Sequence, residues 1–311
     1  MSKKLGFLCP GQGAQYPGMG KDFYEAFPLV RQTMEEADEY LGCHFSRLIF
    51  EGPSEELTLT KNSQVAIYIV GIALYRLLEE QFPSLIPHTC AGLSLGEYTA
   101  LTAAKKISFK DGLSLVKVRA EAMQKACEKT QGSMQVVLAL SEADVQSVIN
   151  QFNPPHPIWI ANLNCPGQVV IAGTIDVLKL VQEPLKQKGA KRVLPLDVSG
   201  AFHSGLMKPA QEELAAKIAC VPFSDSGIQV VMNVPGDYVR STEEIRQMLI
   251  AQLVSVVRWE KGILQMAKEG LDAYIELAPG KTLSGMNKRI GVKEPTYSLE
   301  KVADLELFRG I

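Results

Sequence analysis

Residues 88–105 read "HTCAGLSLGEYTALTAAK": an apolar run, a serine framed by glycines at 92 and 96, and a helix pattern, with no spacer at either junction. A strand that turns straight into a helix constrains the chain strongly, because the helix must fold back onto the sheet that the strand belongs to. Gly92 and Gly96 let the chain approach itself closely and expose the Ser94 hydroxyl, and the new helix aims its N-terminal amides at the same place. The five-residue pattern alone arises by chance in about one chain of this size in ten. Its strand-to-helix setting is what makes Ser94 a candidate nucleophile.

The rest of the 311-residue chain alternates strand and helix signals in the α/β manner. "KLGFLC" is a short strand leading into the loop "PGQGAQYPGMGK", and "VAIYIVGIALYRLLEEQF" is a helix ending near Pro83. After the serine motif comes a second long helix, "FKDGLSLVKVRAEAMQKACEK". From Gln131 the texture tightens into strand, helix, strand, strand, helix, strand, which is the ferredoxin-like βαββαβ order. The expected organisation is a discontinuous large α/β domain, residues 1–129 and 199–311, carrying a small inserted domain, 130–198. "IQVVMNV" and "AYIEL" are later strands, and Ser241 with Glu244 forms a capping-box spacing at the helix "STEEIRQMLIAQLVS".

A serine hydroxyl needs a base, and the chain has four histidines. His88 lies six residues upstream on the same strand, roughly 20 Å away at about 3.3 Å per residue, and cannot reach. His44 sits in a partly apolar segment and His156 in the turn "NPPHPI". His203, in the small-residue loop "DVSGAFHSGLM", is the favoured general base and acid. In the helix of Arg119, Lys117, Glu121, Lys125 and Glu128 cluster on one face and the arginine points away from them, inward. A buried arginine needs an anionic partner, either a structural Asp or Glu or a ligand carboxylate or phosphate.

Composition narrows the function classes. Lysine plus arginine number 32 against 34 acidic residues, 46% of the chain is hydrophobic and 21% charged, so no basic excess argues for nucleic acid. The longest apolar stretch, 65–74, is far short of the roughly 20 residues of a membrane span. The N-terminus lacks the apolar region and cleavage site of a signal peptide, so a cytoplasmic protein without membrane attachment is expected. Six scattered cysteines suggest neither a disulfide framework nor a zinc site. The first loop lacks the third glycine of a dinucleotide fingerprint and the first glycine of a Walker A loop; it reads as a close-packed turn able to deliver the Gln12 amide to a site at the strand end.

Seven stretches together, "PGQGAQYPGMG", "GLSLGEYTAL", "VRAEAM", "NCPGQVVIAG", "GAFHS", "QLVSVVRW" and "ELAPGKTLSGMNKRI", make the chain resemble the malonyl-CoA:acyl carrier protein transacylase family from about residue 5 to 290. The resemblance implies an α/β-hydrolase-like large domain with a ferredoxin-like insert, acylation of Ser94, and His203 as base, oriented by the backbone carbonyl of Gln252. It implies an oxyanion hole from Gln12 and the Leu95 N–H, and Arg119 clasping the free carboxylate of malonyl. Asn164, Phe202 and Leu93 fall at substrate-binding positions; Leu93 stands where many members have His, and Cys165 where a serine is frequent. Phe202 resembles the form found in malonyl-selective members, which leaves little room for an α-methyl branch.

The implied partners are malonyl-CoA and a phosphopantetheinylated acyl carrier protein, with no metal, no nucleotide cofactor and a monomeric enzyme. Carrier proteins are acidic, so "KQKGAKR" (186–192) and "NKR" (287–289) are candidate docking charges. Three other readings share these residues: a discrete polyketide-pathway acyltransferase using another acyl-CoA, a serine thioesterase or hydrolase, which would not require Arg119, and a non-catalytic carrier-binding protein.

Overall fold

The structure, a computed structural model, describes residues 3–152, 155–277 and 279–311. Asn153 and Pro154 of the expected turn before His156, together with Met1, Ser2 and Ala278, lie outside the described residues. The strands are β1 (Leu5–Cys9), β2 (Pro87–Gly92), β3 (Gly132–Leu138), β4 (Trp159–Cys165), β5 (Gln168–Thr174), β6 (Arg192–Pro195), β7 (Gln229–Met232), β8 (Asp237–Val239), β9 (Ala273–Leu277) and β10 (Thr296–Leu299). They form two sheets, ordered β10-β9-β1-β2-β7-β8 and β4-β5-β3-β6.

The first sheet is parallel from β10 to β7, and only β8 joins antiparallel, as a hairpin on β7. Its central strands are buried on both faces, which is why "LGFLC" is apolar without alternation. Helix Thr60–Gln81 carries the long apolar stretch into the core and packs on helix Phe109–Lys129. The two approach closely at Gly112, where a Cβ would sit 2.0 Å from the Tyr68 hydroxyl. That hydroxyl bonds Thr102 at 2.9 Å and the Phe109 carbonyl at 3.0 Å. Ser108 caps the second helix, accepting the Asp111 N–H at 3.1 Å.

The second sheet is wholly antiparallel. Its strands alternate with period two: Val137, Ile160, Val169 and Ile171 face its own helices, while Met134, Val136, Ala161, Val170 and Ala172 join the main core. One edge is tied to the other part of the chain, because Val257 donates to Ala161 O at 2.8 Å and accepts from the Leu163 N–H at 2.9 Å.

The serine turn itself depends on close backbone contact. Modest as a methyl is, one added at Gly96 would lie 2.1 Å from the Cys9 carbonyl oxygen, and one at Gly92 would lie 1.9 Å from Gly96. Gly11 is held in the same way, its missing Cβ 2.4 Å from Leu93 O. Gly96→Ala must push β1 and the turn apart and should cost about 3 kcal/mol or more, read as a lowered urea midpoint. An unchanged midpoint would show that the turn has room it does not display.

Candidate active site

Four parallel strands end at one rim. β1 runs into Pro10–Ala14, β2 into Leu93–Ser94, β7 into Asn233, and β9 is followed by helix Thr282–Ile290. That carboxyl rim is where open α/β sheets place their ligands. A cavity of about 230 Å³ opens there, roofed by Met134, Asn162, Asn164 and Val170 of the second sheet.

Ser94 takes a left-handed backbone conformation, φ 52°, which a non-glycine residue adopts only when its surroundings hold it. Asn233 holds it from one side, accepting the Ser94 N–H at 2.7 Å and donating to Gly92 O at 2.7 Å. Gln252 holds it from the other, its Nε2 donating to Ser94 O at 2.9 Å. The result presents Oγ to His203, whose Nε2 lies 2.8 Å away.

His203 sits at φ 56°, at the end of a segment that Gly200 passes against Cys127; a Cβ on Gly200 would meet the Cys127 sulfur at 2.1 Å. Its Nδ1–H donates to the Gln252 carbonyl at 2.8 Å, which leaves Nε2 as the lone-pair nitrogen facing the serine. Burial, with a smaller contribution from the Arg119 charge, pulls the imidazole down to about 4, against the Gln252 carbonyl, which favours the charged ring. The imidazole is therefore neutral at physiological pH, with Nε2 free to accept a proton. His44 and His156 are exposed, and His88 faces Glu269 at 3.8 Å, so none of the three joins Ser94.

Arg119 is 1% exposed. Its Nη1 donates to Gln64 Oε1, and its Nη2 to Ser94 Oγ at 3.0 Å and to Gln252 Oε1 at 2.8 Å. All three acceptors are neutral, and among the described residues no carboxylate forms an ion pair with it. Its Nε–H is buried without a partner. Burial lowers the guanidinium below its ordinary value, but an arginine keeps its charge. Glu97, fully buried in the first turn of helix Gly96–Ala103, accepts the Asn233 N–H and the Gln252 Nε2–H, the latter at 2.5 Å. Burial pushes its carboxyl up to about 8, against those two donors and the Arg119 charge.

Of the other residues named from sequence, Gln12, Leu93, Asn164 and Phe202 line the cavity, and Asn164 Oδ1 is buried without a partner. The Gln12 carboxamide donates to Thr60 Oγ1 at 3.3 Å and accepts from Gln64 Nε2 at 3.3 Å. Leu95 has its side chain in the core, and its N–H takes no acceptor among the described residues. In "NKR", Asn287 is not a surface group: it is 1% exposed and donates to Thr296 Oγ1 at 3.0 Å, because it faces the sheet while Lys288 and Arg289 face out. Lys191, just before β6, and Arg192, its first residue, are exposed.

Residues 6–304 match the family model described as "Acyl transferase domain". The chain belongs to this acyltransferase family. It is similar to the malonyl CoA-acyl carrier protein transacylase of Bacillus subtilis (strain 168), 41% identical over 305 residues covering 98% of this chain and 96% of that one. Among solved structures it resembles an acyl carrier protein S-malonyltransferase from Vibrio cholerae, 37% identical, covering 98% and 99% of the two chains with a TM-score of 0.93. It also resembles a malonyl-transacylase solved in complex with a type II PKS acyl-carrier protein, 36% identical over 97% and 98%, TM-score 0.93.

Three residues of this acyltransferase site are absent from the sequence reading: Gln64, Glu97 and Asn233. Glu97 had a usable signal, the one acid in the otherwise uncharged "GEYTALTAA". Gln64 closes the polar run "TKNSQ" and Asn233 is a single polar residue beside an apolar run, patterns that surface positions share.

Attack of Ser94 on a fluorophosphonate calls for a neutral imidazole to take its proton, so labelling should hold level from about pH 8 down to about pH 5 and fall through about 4. Arg119→Ala removes a charge that adds to the depression and should move the inflection upward. A wild-type decline centred on the ordinary histidine value of 6.5 would contradict the assignment.

Proposed function

We propose that the chain transfers a malonyl group from malonyl-CoA to the phosphopantetheine thiol of an acyl carrier protein, through a malonyl ester on Ser94. The observation that carries this reading is the buried Arg119 guanidinium beside Ser94 with only neutral oxygens around it. A site that holds a guanidinium next to its nucleophile without a directly paired carboxylate suits an acyl group that brings its own. The names of the relatives, and the carrier protein bound in one of them, support the same substrate pair.

The reaction follows from the geometry. His203 Nε2 takes the Ser94 proton as Oγ attacks the thioester carbon, and the Gln252 carbonyl steadies the imidazolium through Nδ1–H. The thioester oxygen gains negative charge between the backbone N–H groups of Leu95 and Gln12. The tetrahedral adduct then expels the CoA thiolate, which takes the proton from His203. In the second half the carrier thiol gives its proton to His203, attacks the ester carbon, and Ser94 recovers its proton as it leaves. Every step uses side chains or backbone of this chain and neither a metal nor a nucleotide cofactor.

Phe202, 5% exposed on the cavity wall, favours malonyl over methylmalonyl, a discrimination worth ~1–3 kcal/mol for one methyl group. The architecture is read as an α/β-hydrolase-like large domain, 1–129 and 199–311, with a ferredoxin-like insert at 130–198, whose sheet order β4-β5-β3-β6 fits that class. The enzyme is read as a cytoplasmic monomer. No described helix is long and apolar enough to cross a membrane. Lys191, Arg192, Lys288 and Arg289 are the exposed charges that would meet an acidic carrier protein.

Intact mass after mixing with malonyl-CoA should show a malonyl adduct that Ser94→Ala abolishes. Arg119→Ala should lower malonyl-CoA acylation by about 3 kcal/mol, roughly a hundredfold, and spare acetyl-CoA. Neutralising Lys191 and Arg192 should raise the carrier-protein KM and leave acylation by malonyl-CoA intact. Rapid release of free malonate without transfer to the carrier thiol would defeat the reading.

A further inference from the structure

Gln252 meets four groups of the site at once. Its backbone carbonyl accepts from His203, its Oε1 accepts from Arg119 Nη2, and its Nε2 donates to both Ser94 O and Glu97 Oε2. A carboxamide can sit either way round, and turning this one over would set an N–H donor against the Arg119 N–H and an oxygen against Ser94 O. The Arg119 N–H, which only donates, and Ser94 O, which only accepts, favour the working orientation. Glu97, once ionised, also can only accept, and it adds a side-chain contact to that selection.

Glu97 does the same on its other oxygen, which accepts the backbone N–H of Asn233, the residue that clamps Ser94 N–H and Gly92 O. One buried carboxylate thus joins the elbow helix to two distant parts of the chain, 233 and 252. It touches neither the serine hydroxyl nor the cavity lining. No part of the transfer reaction derived above uses it.

We propose that Glu97 is a positioning residue that fixes the orientation of the Gln252 carboxamide and, through it, holds Arg119 ready for an acidic acyl group. The inference rests on the malonyl-transfer reading, because the arginine it orders is the carboxylate clasp. The Asn233 donor is backbone and cannot turn, so in Glu97→Gln the new Oε1 stays with it and the new Nε2 faces Gln252 Nε2, donor against donor. Gln252 then faces a donor at position 97 as it sits, and would face Arg119 and Ser94 O wrongly if it turned over, so its hold on Arg119 loosens in either orientation.

The test is the ratio of kcat/KM for Ser94 acylation by malonyl-CoA to that by acetyl-CoA, measured above pH 8 on wild type, Glu97→Gln and Arg119→Ala. Wild type should favour malonyl-CoA, and Glu97→Gln should lower the ratio at least tenfold while circular dichroism stays native. A ratio within twofold of wild type, with both substrates slowed alike, would reduce Glu97 to a structural support and overturn the proposal. A wild type with no malonyl preference would instead defeat the malonyl-transfer reading.

If Glu97→Gln does not fold, the exchange Glu97→Gln with Gln252→Glu carries the test, because it restores donor facing acceptor at that contact. It sets a carboxylate on Arg119, so malonyl preference should stay lost. Wild-type preference in the exchanged pair would overturn the proposal as well.

Discussion

A guanidinium buried beside a nucleophile, held by neutral oxygens only, is the constraint around which this site is arranged. Removing an ion from water costs several kcal/mol even after relaxation, and three hydrogen bonds to Gln64, Gln252 and Ser94 offset only part of that. Such a charge persists in a fold when the fold is stable enough to hold it and the reaction uses it. The surroundings of Arg119 match that condition: a fixed helix, an aromatic ring of Tyr98 5.7 Å from the guanidinium carbon, and a carboxylate reached through one amide.

The two sheets supply different parts of the same chemistry. The parallel sheet gathers loop ends at its carboxyl rim, where glycines at 11, 92 and 96 bring backbone against backbone and leave Ser94 on a left-handed turn. The antiparallel sheet forms the roof and is fastened at Val257, five residues beyond the carbonyl that orients His203. His203, Ser94 and the roof are therefore linked by a single short segment, 252–257. Low exposure of His203 keeps it neutral, and the carbonyl partner fixes which nitrogen is free.

Much of this was legible in the chain, for reasons that differ by residue. β1, β2 and the βαββαβ series announce themselves because their apolar runs are short and bounded by glycine or polar turns. Ser94 was legible through its setting between strand and helix, His203 through elimination among four histidines, and the inward direction of Arg119 through helical periodicity. Gln12 was legible as part of a glycine loop at a strand end, whereas the roles expected of Gln252 and Leu95 came only from family resemblance, since backbone carbonyl and N–H groups leave no mark on residue type. The contacts of Gln64, Glu97 and Asn233 join positions 52 to 155 residues apart and follow from tertiary placement alone. "NKR" reads as a charge run, yet helical geometry turns Asn287 inward.

The proposed malonyl transfer depends on Arg119 reading the negative charge of the acyl group and not only its shape. The most direct measurement compares acylation of Ser94 by malonyl-CoA with acylation by malonamoyl-CoA, in which a neutral carboxamide replaces the carboxylate at nearly the same size. Charge-assisted hydrogen bonds in a dry site predict a loss of about 3 kcal/mol, roughly a hundredfold in kcat/KM, for the amide. Equal rates for the two thioesters would contradict the account.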